Sequence, residues 1–146
     1  MARQPIDPSP ESLVDAIVQT SFAAMAVLNT IGADNDLSLT QLRVLGILRD
    51  RRLRMTELAD YLGLEKSTMS GLVDRAERRG LLARAPSADD GRAVDVFLTD
   101  AGVELGERLY AQVAHSVSRS TDALSDAEQA TLKDLLSRML ASPVRN

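Results

Sequence analysis

A chain of 146 residues, 45% apolar but only 3% aromatic, suffices for one domain with a helical extension and must fill its core with aliphatic side chains and methionine. The absence of cysteine excludes disulfides, thiol redox sensing and cysteine–zinc sites, and two Phe with two Tyr argue against a base-stacking platform for single-stranded nucleic acid. The net charge of −4 hides a segregation: residues 40–98 hold 11 Lys and Arg against 9 Asp and Glu, whereas the flanks hold 6 against 12, so a mildly basic middle lies between acidic ends.

The first apolar periodicity lies in SPESLVDAIVQTSFAAMAVLNTI, where Leu13, Ala16, Ile17, Thr20, Ala24, Val27 and Ile31 recur at helical spacing. Ser9 as N-cap, Pro10 at the first helical position and Glu11 in the first turn predict its start. No uninterrupted apolar run approaches the roughly 18 residues of a membrane span. MARQPIDPSPES lacks the apolar core of a secretion signal, so the expectation is a cytoplasmic protein without membrane contact.

LTQLRVLGILRD predicts a second helix, capped by Thr40 and burying Leu42, Leu45, Ile47 and Leu48, and RRLR reads as a basic connection. MTELADYL and KSTMSGLVDRAERRG predict two short helices joined by GLE, the second ended by Gly80. LLARA and AVDVFLT are strand candidates flanking PSADDGR; in the second, Val94, Val96 and Leu98 alternate with Ala93, Asp95 and Phe97. Thr99 is placed to cap a long helix, DAGVELGERLYAQVAHSVSRSTDAL. Ser125 with Glu128 has the capping-box spacing for a last one, DAEQATLKDLLSRML, before Pro143. The order is four helices, a hairpin and two helices: mainly α with a small β-hairpin, an α+β arrangement.

The most specific signal spans residues 55–75. Two helices crossing at a tight turn need a small residue at the crossing and a glycine at the bend, and Ala59 and Gly63 sit four apart in those roles. Leu58, Leu62, Leu64, Met69 and Leu72 would close the small core beneath. The second helix of this helix-turn-helix then presents KSTMSG to solvent. Lys66 offers charge to a phosphate, Ser67, Thr68 and Ser70 offer short hydroxyls to phosphates or base edges, Arg75, Arg78 and Arg79 add charge, and the helix N-terminus itself favours a phosphate. Ser67 and Thr68 taken singly are equally suited to solvating a surface helix; the combination with Ala59, Gly63 and the apolar spacing points to DNA. A hairpin directly after a helix-turn-helix reads as a wing. Arg92 near its tip suits a narrow minor groove, Asp90 can hold the Arg92 side chain or brace the turn, and Gly91 can supply a positive φ.

The run from Leu39 to Gly102 resembles the MarR family of bacterial transcriptional regulators, most tellingly in LVDRAERRGLL followed by DDGRAVDVFLTDAG. The family's D-x-R wing motif matches Asp90, Gly91 and Arg92, and its L-T-x-x-G matches Leu98, Thr99 and Gly102. The resemblance implies a winged helix-turn-helix flanked by dimerisation helices: residues 1–38 and 99–146 for dimerisation, 39–98 for DNA, with the helix-turn-helix at 55–79 and the wing at 81–98. It further implies a homodimer on a palindromic operator and repression relieved by a small, often phenolic or anionic, ligand. Two positions depart from the pattern. Relatives often carry Ser then Pro at the start of the recognition helix, where this chain has Glu65 and Lys66; Glu65 caps less well and repels phosphate, which shifts contact to Lys66. Gly71 lies inside that helix, where glycine costs roughly 1 kcal/mol against alanine, so the backbone approaches DNA closely there or a base contact is missing.

The expected DNA contacts are Lys66, Ser67, Thr68, Ser70, Gly71, Arg75, Asp90, Gly91 and Arg92. The Ala-, Leu-, Val- and Ile-rich helices at both ends independently suggest a dimer, the commonest closed assembly, which would address a palindrome with two recognition helices about 34 Å apart. By resemblance an aromatic or anionic effector would lie between the dimer helices and the DNA lobe, with Phe22, Met25, Arg43 and Tyr61 as its expected neighbours. No catalytic or metal-binding residue and no cofactor is expected: the single histidine, His115, has no second histidine or carboxylate cluster near it in sequence. The alternative to a DNA-binding regulator is a winged-helix adaptor that binds protein without reading DNA.

Overall fold

The computed structural model describes residues 11–142. Ser9 and Pro10, expected to begin the first helix, lie outside them. That helix, α1 (Leu13–Asp34), is capped by Ser12, whose hydroxyl accepts the Asp15 amide at 3.1 Å. The next, α2 (Leu39–Ile47), starts at Ser38 rather than at Thr40: Ser38 Oγ accepts the Gln41 amide at 3.1 Å while Gln41 Oε1 accepts the Ser38 amide at 2.8 Å. Only Ser38 has a glutamine three residues on, and that reciprocal box satisfies two amide donors at once. A 3₁₀ turn, Leu48–Asp50, follows.

The connection after it holds a strand that the sequence reading missed. β1 (Leu53–Arg54) pairs antiparallel with β3 (Val94–Leu98), Leu53 opposite Val96 and Arg54 opposite Asp95. β3 pairs along its whole length with β2 (Leu82–Pro86), from Leu82 opposite Leu98 to Pro86 opposite Val94. The expected hairpin is therefore two strands of a three-stranded sheet ordered β1-β3-β2. Two residues are too few to display alternation, so nothing in RRLR announced the first.

Helices α3 (Met55–Leu62) and α4 (Lys66–Arg78) have the expected extents. Each ends on a left-handed glycine, Gly63 at φ 66° and Gly80 at φ 72°. After each, the next residue's amide reaches back five positions, Leu64 to the Ala59 carbonyl and Leu81 to the Ala76 carbonyl, both at 3.0 Å. This is how a glycine-terminated helix satisfies its last carbonyls. The core collects beneath this pair: Leu58, Met69, Val73 and Val96 are fully buried, and Val44, Leu45 and Leu48 of the α2 segment join Leu105 and Leu109 of α5 (Asp100–Thr121) around them.

The L-T-x-x-G motif acts as a latch between α4 and α5. Thr99 caps α5 by accepting the Gly102 amide at 3.1 Å. Its own amide donates to the Leu81 carbonyl at 3.1 Å and its hydroxyl donates to the Gly80 carbonyl. A Cβ on Gly102 would stand 2.1 Å from the Leu81 oxygen, so only glycine lets the first turn of α5 press on the turn that ends α4.

The outer helices contribute little to this core. α1 buries only Ile31 and Gly32, and α6 (Asp126–Ala141), capped by the expected Ser125–Glu128 box, buries nothing. Leu13, Ile17 and Phe22 on α1 and Leu135, Leu136, Met139 and Leu140 on α6 stand exposed. With an 18-residue window of mean hydropathy 1.4, α1 is long and apolar enough to cross a membrane by length and composition. A helix whose polar residues are scattered meets that criterion where a count of uninterrupted apolar residues does not.

Gly102→Ala is expected to destabilise the fold by about 1–3 kcal/mol through overpacking against a backbone carbonyl. Gly106→Ala, where an added Cβ meets nothing within 4 Å, should be neutral or stabilising. Urea denaturation of both variants checks the contrast.

Candidate nucleic-acid interface

The sides of α4 are chemically divided. Met69, Leu72, Val73 and Ala76 face the core, leaving Lys66, Ser67, Thr68, Arg75 and Arg78 exposed and Ser70 and Gly71 half-buried. Glu65 occupies the N-cap position in an extended conformation and makes no capping hydrogen bond. A Cβ on Gly71 would meet only the Arg75 guanidinium at 3.6 Å, an ordinary contact. No packing neighbour inside the fold demands glycine there.

The wing tip is held by Asp90. Its carboxylate accepts the Arg92 amide at 3.0 Å and its carbonyl accepts the Ala93 amide at 2.9 Å, while the Ser87 amide donates to the Ala93 carbonyl at 2.9 Å. Of the two roles offered for Asp90, bracing the turn is therefore the one observed. Gly91 does not take the expected positive φ; Gly63 and Gly80 are the only glycines that do among the described residues. A side chain bonded to the backbone two residues on closes a turn without a left-handed residue. The Arg92 side chain is exposed, and no carboxylate lies within 4.0 Å of it among the described residues.

Lys66 and Ser70 of α4, Arg54 and Thr56 at the start of α3, Arg84 of β2 and Arg92 of the wing all line one groove of about 360 Å³, with Asp74 as its acid. Residues separated by 26 positions in sequence, Lys66 and Arg92, thus share one cationic channel. Arg84 is the organising residue that sequence reasoning missed. Its guanidinium donates to Asp74 at 2.7 Å, to Glu77 at 2.8 Å and to the Ser70 carbonyl at 3.2 Å, binding β2 to α4. The legible signal was a pair of acids three apart on a helix, followed by an arginine in the next strand. Arg79, expected to add charge beside the recognition helix, is exposed but donates to the carbonyls of Asp36 at 2.7 Å and Asn35 at 3.1 Å, at the end of α1.

The expected effector neighbours separate. Met25 and Arg43 line an apolar pocket of about 360 Å³ among α1, α2 and α5. Tyr61 borders an adjacent groove with Arg43, Arg51 and Glu57, and Phe22 lines neither. Residues not anticipated complete the pocket: Leu28, Gly46, Arg49, Gly106 and Tyr110 among them, with the Arg49 guanidinium 4.3 Å from the Tyr110 ring centroid. Gly106, inside α5, and Gly46, next to the last residue of α2, are glycines at which an added Cβ meets nothing within 4 Å, so close packing does not explain them. At the edge of the adjacent groove, the hydrogen bond from Arg51 at 2.9 Å holds the Asp50 carboxyl below the usual carboxylate range.

A family-level comparison matches residues 35–93 to the MarR family. That stretch of the chain is similar to MarR-family proteins. The chain is 32% identical over 103 residues to the HTH-type transcriptional regulator YfiV of Bacillus subtilis, a match covering 70% of this chain and 64% of that relative, just under two thirds of its length. Wild-type MarR from E. coli in its apo form superposes with a TM-score of 0.73 at 26% identity, covering 89% of this chain and 97% of that one. BpsR of Bordetella bronchiseptica, whose DNA binding is regulated by 6-hydroxynicotinic acid, shares the fold at a TM-score of 0.70 and 24% identity, covering 97% of this chain and all of that one. The helix-turn-helix and wing thus have the winged-helix fold of MarR-type structures.

Replacing Arg84 with Met should destabilise the protein by about 1–2 kcal/mol, the worth of charge-assisted bonds discounted for partial exposure. It should also speed amide exchange in β2 and the wing while sparing α6. Hydrogen exchange read by mass spectrometry resolves the two regions.

Proposed function

We propose that the chain is a cytoplasmic repressor, without catalytic activity or cofactor, that binds a palindromic duplex as a homodimer. In this reading residues 39–98 form the DNA lobe, and residues 1–38 and 99–146 pair the subunits. Lys66, Ser67, Thr68, Ser70, Gly71 and Arg75 meet the major groove and its phosphates; Asp90 and Gly91 present Arg92 to the minor groove. The carrying observation is the groove shared by Lys66 and Arg92, which puts cations of the recognition helix and the wing on one surface while Asp90 occupies itself with the backbone. A narrow minor groove concentrates negative potential, which favours a guanidinium held at a braced tip. The exposed apolar side chains of α1 and α6 support the homodimer, because a soluble chain rarely leaves so many uncovered.

The effector in this reading is a small aromatic acid in the pocket among α1, α2 and α5. Apolar walls suit a ring, and Arg43 and Arg49 suit an anion. Gly106 lends separate support: inside α5 it costs roughly 1 kcal/mol against alanine, and the space left there and at Gly46 belongs to the pocket. Response of the fold neighbour BpsR to 6-hydroxynicotinic acid fits this ligand class.

Arg92→Ala should weaken binding to the selected duplex by about 1–3 kcal/mol with the melting profile unchanged, and the parent's affinity should fall steeply with salt as phosphate contacts release counterions. Mobility-shift titrations at about 50–200 mM salt test both. No affinity for any duplex at the low end would favour the adaptor reading. Gly106→Leu should fill the pocket, leaving operator binding intact and abolishing release by aromatic acids, as read by fluorescence anisotropy.

A further inference from the structure

Arg43 and Gly46 are the residues common to the apolar pocket and the adjacent groove. On the groove side the Arg43 guanidinium lies 5.6 Å from the centroid of the Tyr61 ring. Tyr61 stands in the last turn of α3, two residues before the left-handed Gly63 at the bend toward α4. Arg43 therefore touches both the pocket and the helix-turn-helix. Among the described residues no carboxylate lies within 4.0 Å of it, so the tyrosine face is its electrostatic partner.

That partnership is weak enough to be exchanged. A guanidinium resting on an exposed tyrosine shifts an equilibrium by only about two- to fivefold. A charge-assisted bond to a carboxylate in an apolar surround is the stronger attraction. We propose that an anionic effector draws Arg43 off Tyr61, and that this change of partner carries occupancy of the pocket to α3 and so to the recognition helix. The proposal rests on the pocket being the effector site. Arg43 on Tyr61 belongs to the DNA-competent state and Arg43 on the ligand to the released state. Only the difference in interaction between those states reaches the DNA.

Tyr61→Leu tests the relay, because a ring 65% exposed has little packing to lose. The probe is 6-hydroxynicotinate, with the uncharged 6-hydroxynicotinamide as control and a duplex selected by the parent protein from a random pool. Calorimetry reads probe binding and anisotropy reads DNA affinity with and without it. The acid should release the parent from DNA more effectively than the amide. Tyr61→Leu should bind the acid at least as tightly as the parent, bind DNA without it about two- to fivefold more weakly because the contact favouring the DNA-competent state is gone, and show an acid effect on DNA smaller by the same factor. Arg43→Gln should lose the preference for acid over amide. A Tyr61→Leu protein with the parent's full response overturns the relay and leaves the pocket as the effector site. An acid that does not bind the parent, or binds without affecting DNA, overturns the pocket reading and the relay together.

Discussion

The arrangement of the DNA lobe depends on two adjacent carbonyls, those of Gly80 and Leu81. They close the turn that ends the recognition helix, and both are claimed by Thr99, at the start of a helix nineteen residues further on. Because β2 leaves this turn and α5 arrives at it, one threonine fixes where the strand starts, where the helix points and how α4 is seated. Gly102 completes the fit by offering no Cβ where α5 lies against the Leu81 oxygen. Arg84 provides the second tie, two residues into β2, and fixes the sheet to the same helix from its other side. The wing and α4 are thus positioned as one body.

What the sequence disclosed, and what it withheld, follows from the range of the interactions. Local determinants were readable. The glycines after α3 and α4, the Ser125 box and the Thr99 cap each act within five residues, and each lies where spacing placed it. The Ser38 box was equally local and was overlooked because Thr40 is also a good cap; Gln41 was the discriminating residue. Contacts spanning the fold left weaker traces. β1 owes its existence to a partner some forty residues away. Arg79 and Arg84 looked like two more cations on a basic segment, yet both are spent on the protein's own oxygens. The pocket was the least legible feature, since its walls come from three separated helices and its volume from side chains that are missing, at Gly46 and Gly106.

Charge tells a similar story at larger scale. An overall excess of acid would steer the molecule away from a polyanion at a distance, but within a Debye length of roughly 8 Å the local surface governs. That surface is the groove joining Arg54, Lys66 and Arg92, whose lining acid, Asp74, is already engaged by Arg84. Glu65 at the head of the recognition helix works against phosphate at one point, and Lys66 beside it compensates. Charge is thus divided between acidic outer segments and a modest cationic groove.

The brevity of β1 and the position of Pro86 have a consequence beyond the lobe itself. The sheet has two borders, one only two residues long and the other ending in a residue without an amide hydrogen. Neither offers a continuous row of free donors and acceptors onto which a neighbouring chain can add a strand. Neighbouring copies of the chain are thus hindered from joining edge to edge through this sheet, the one place among the described residues with open strand edges.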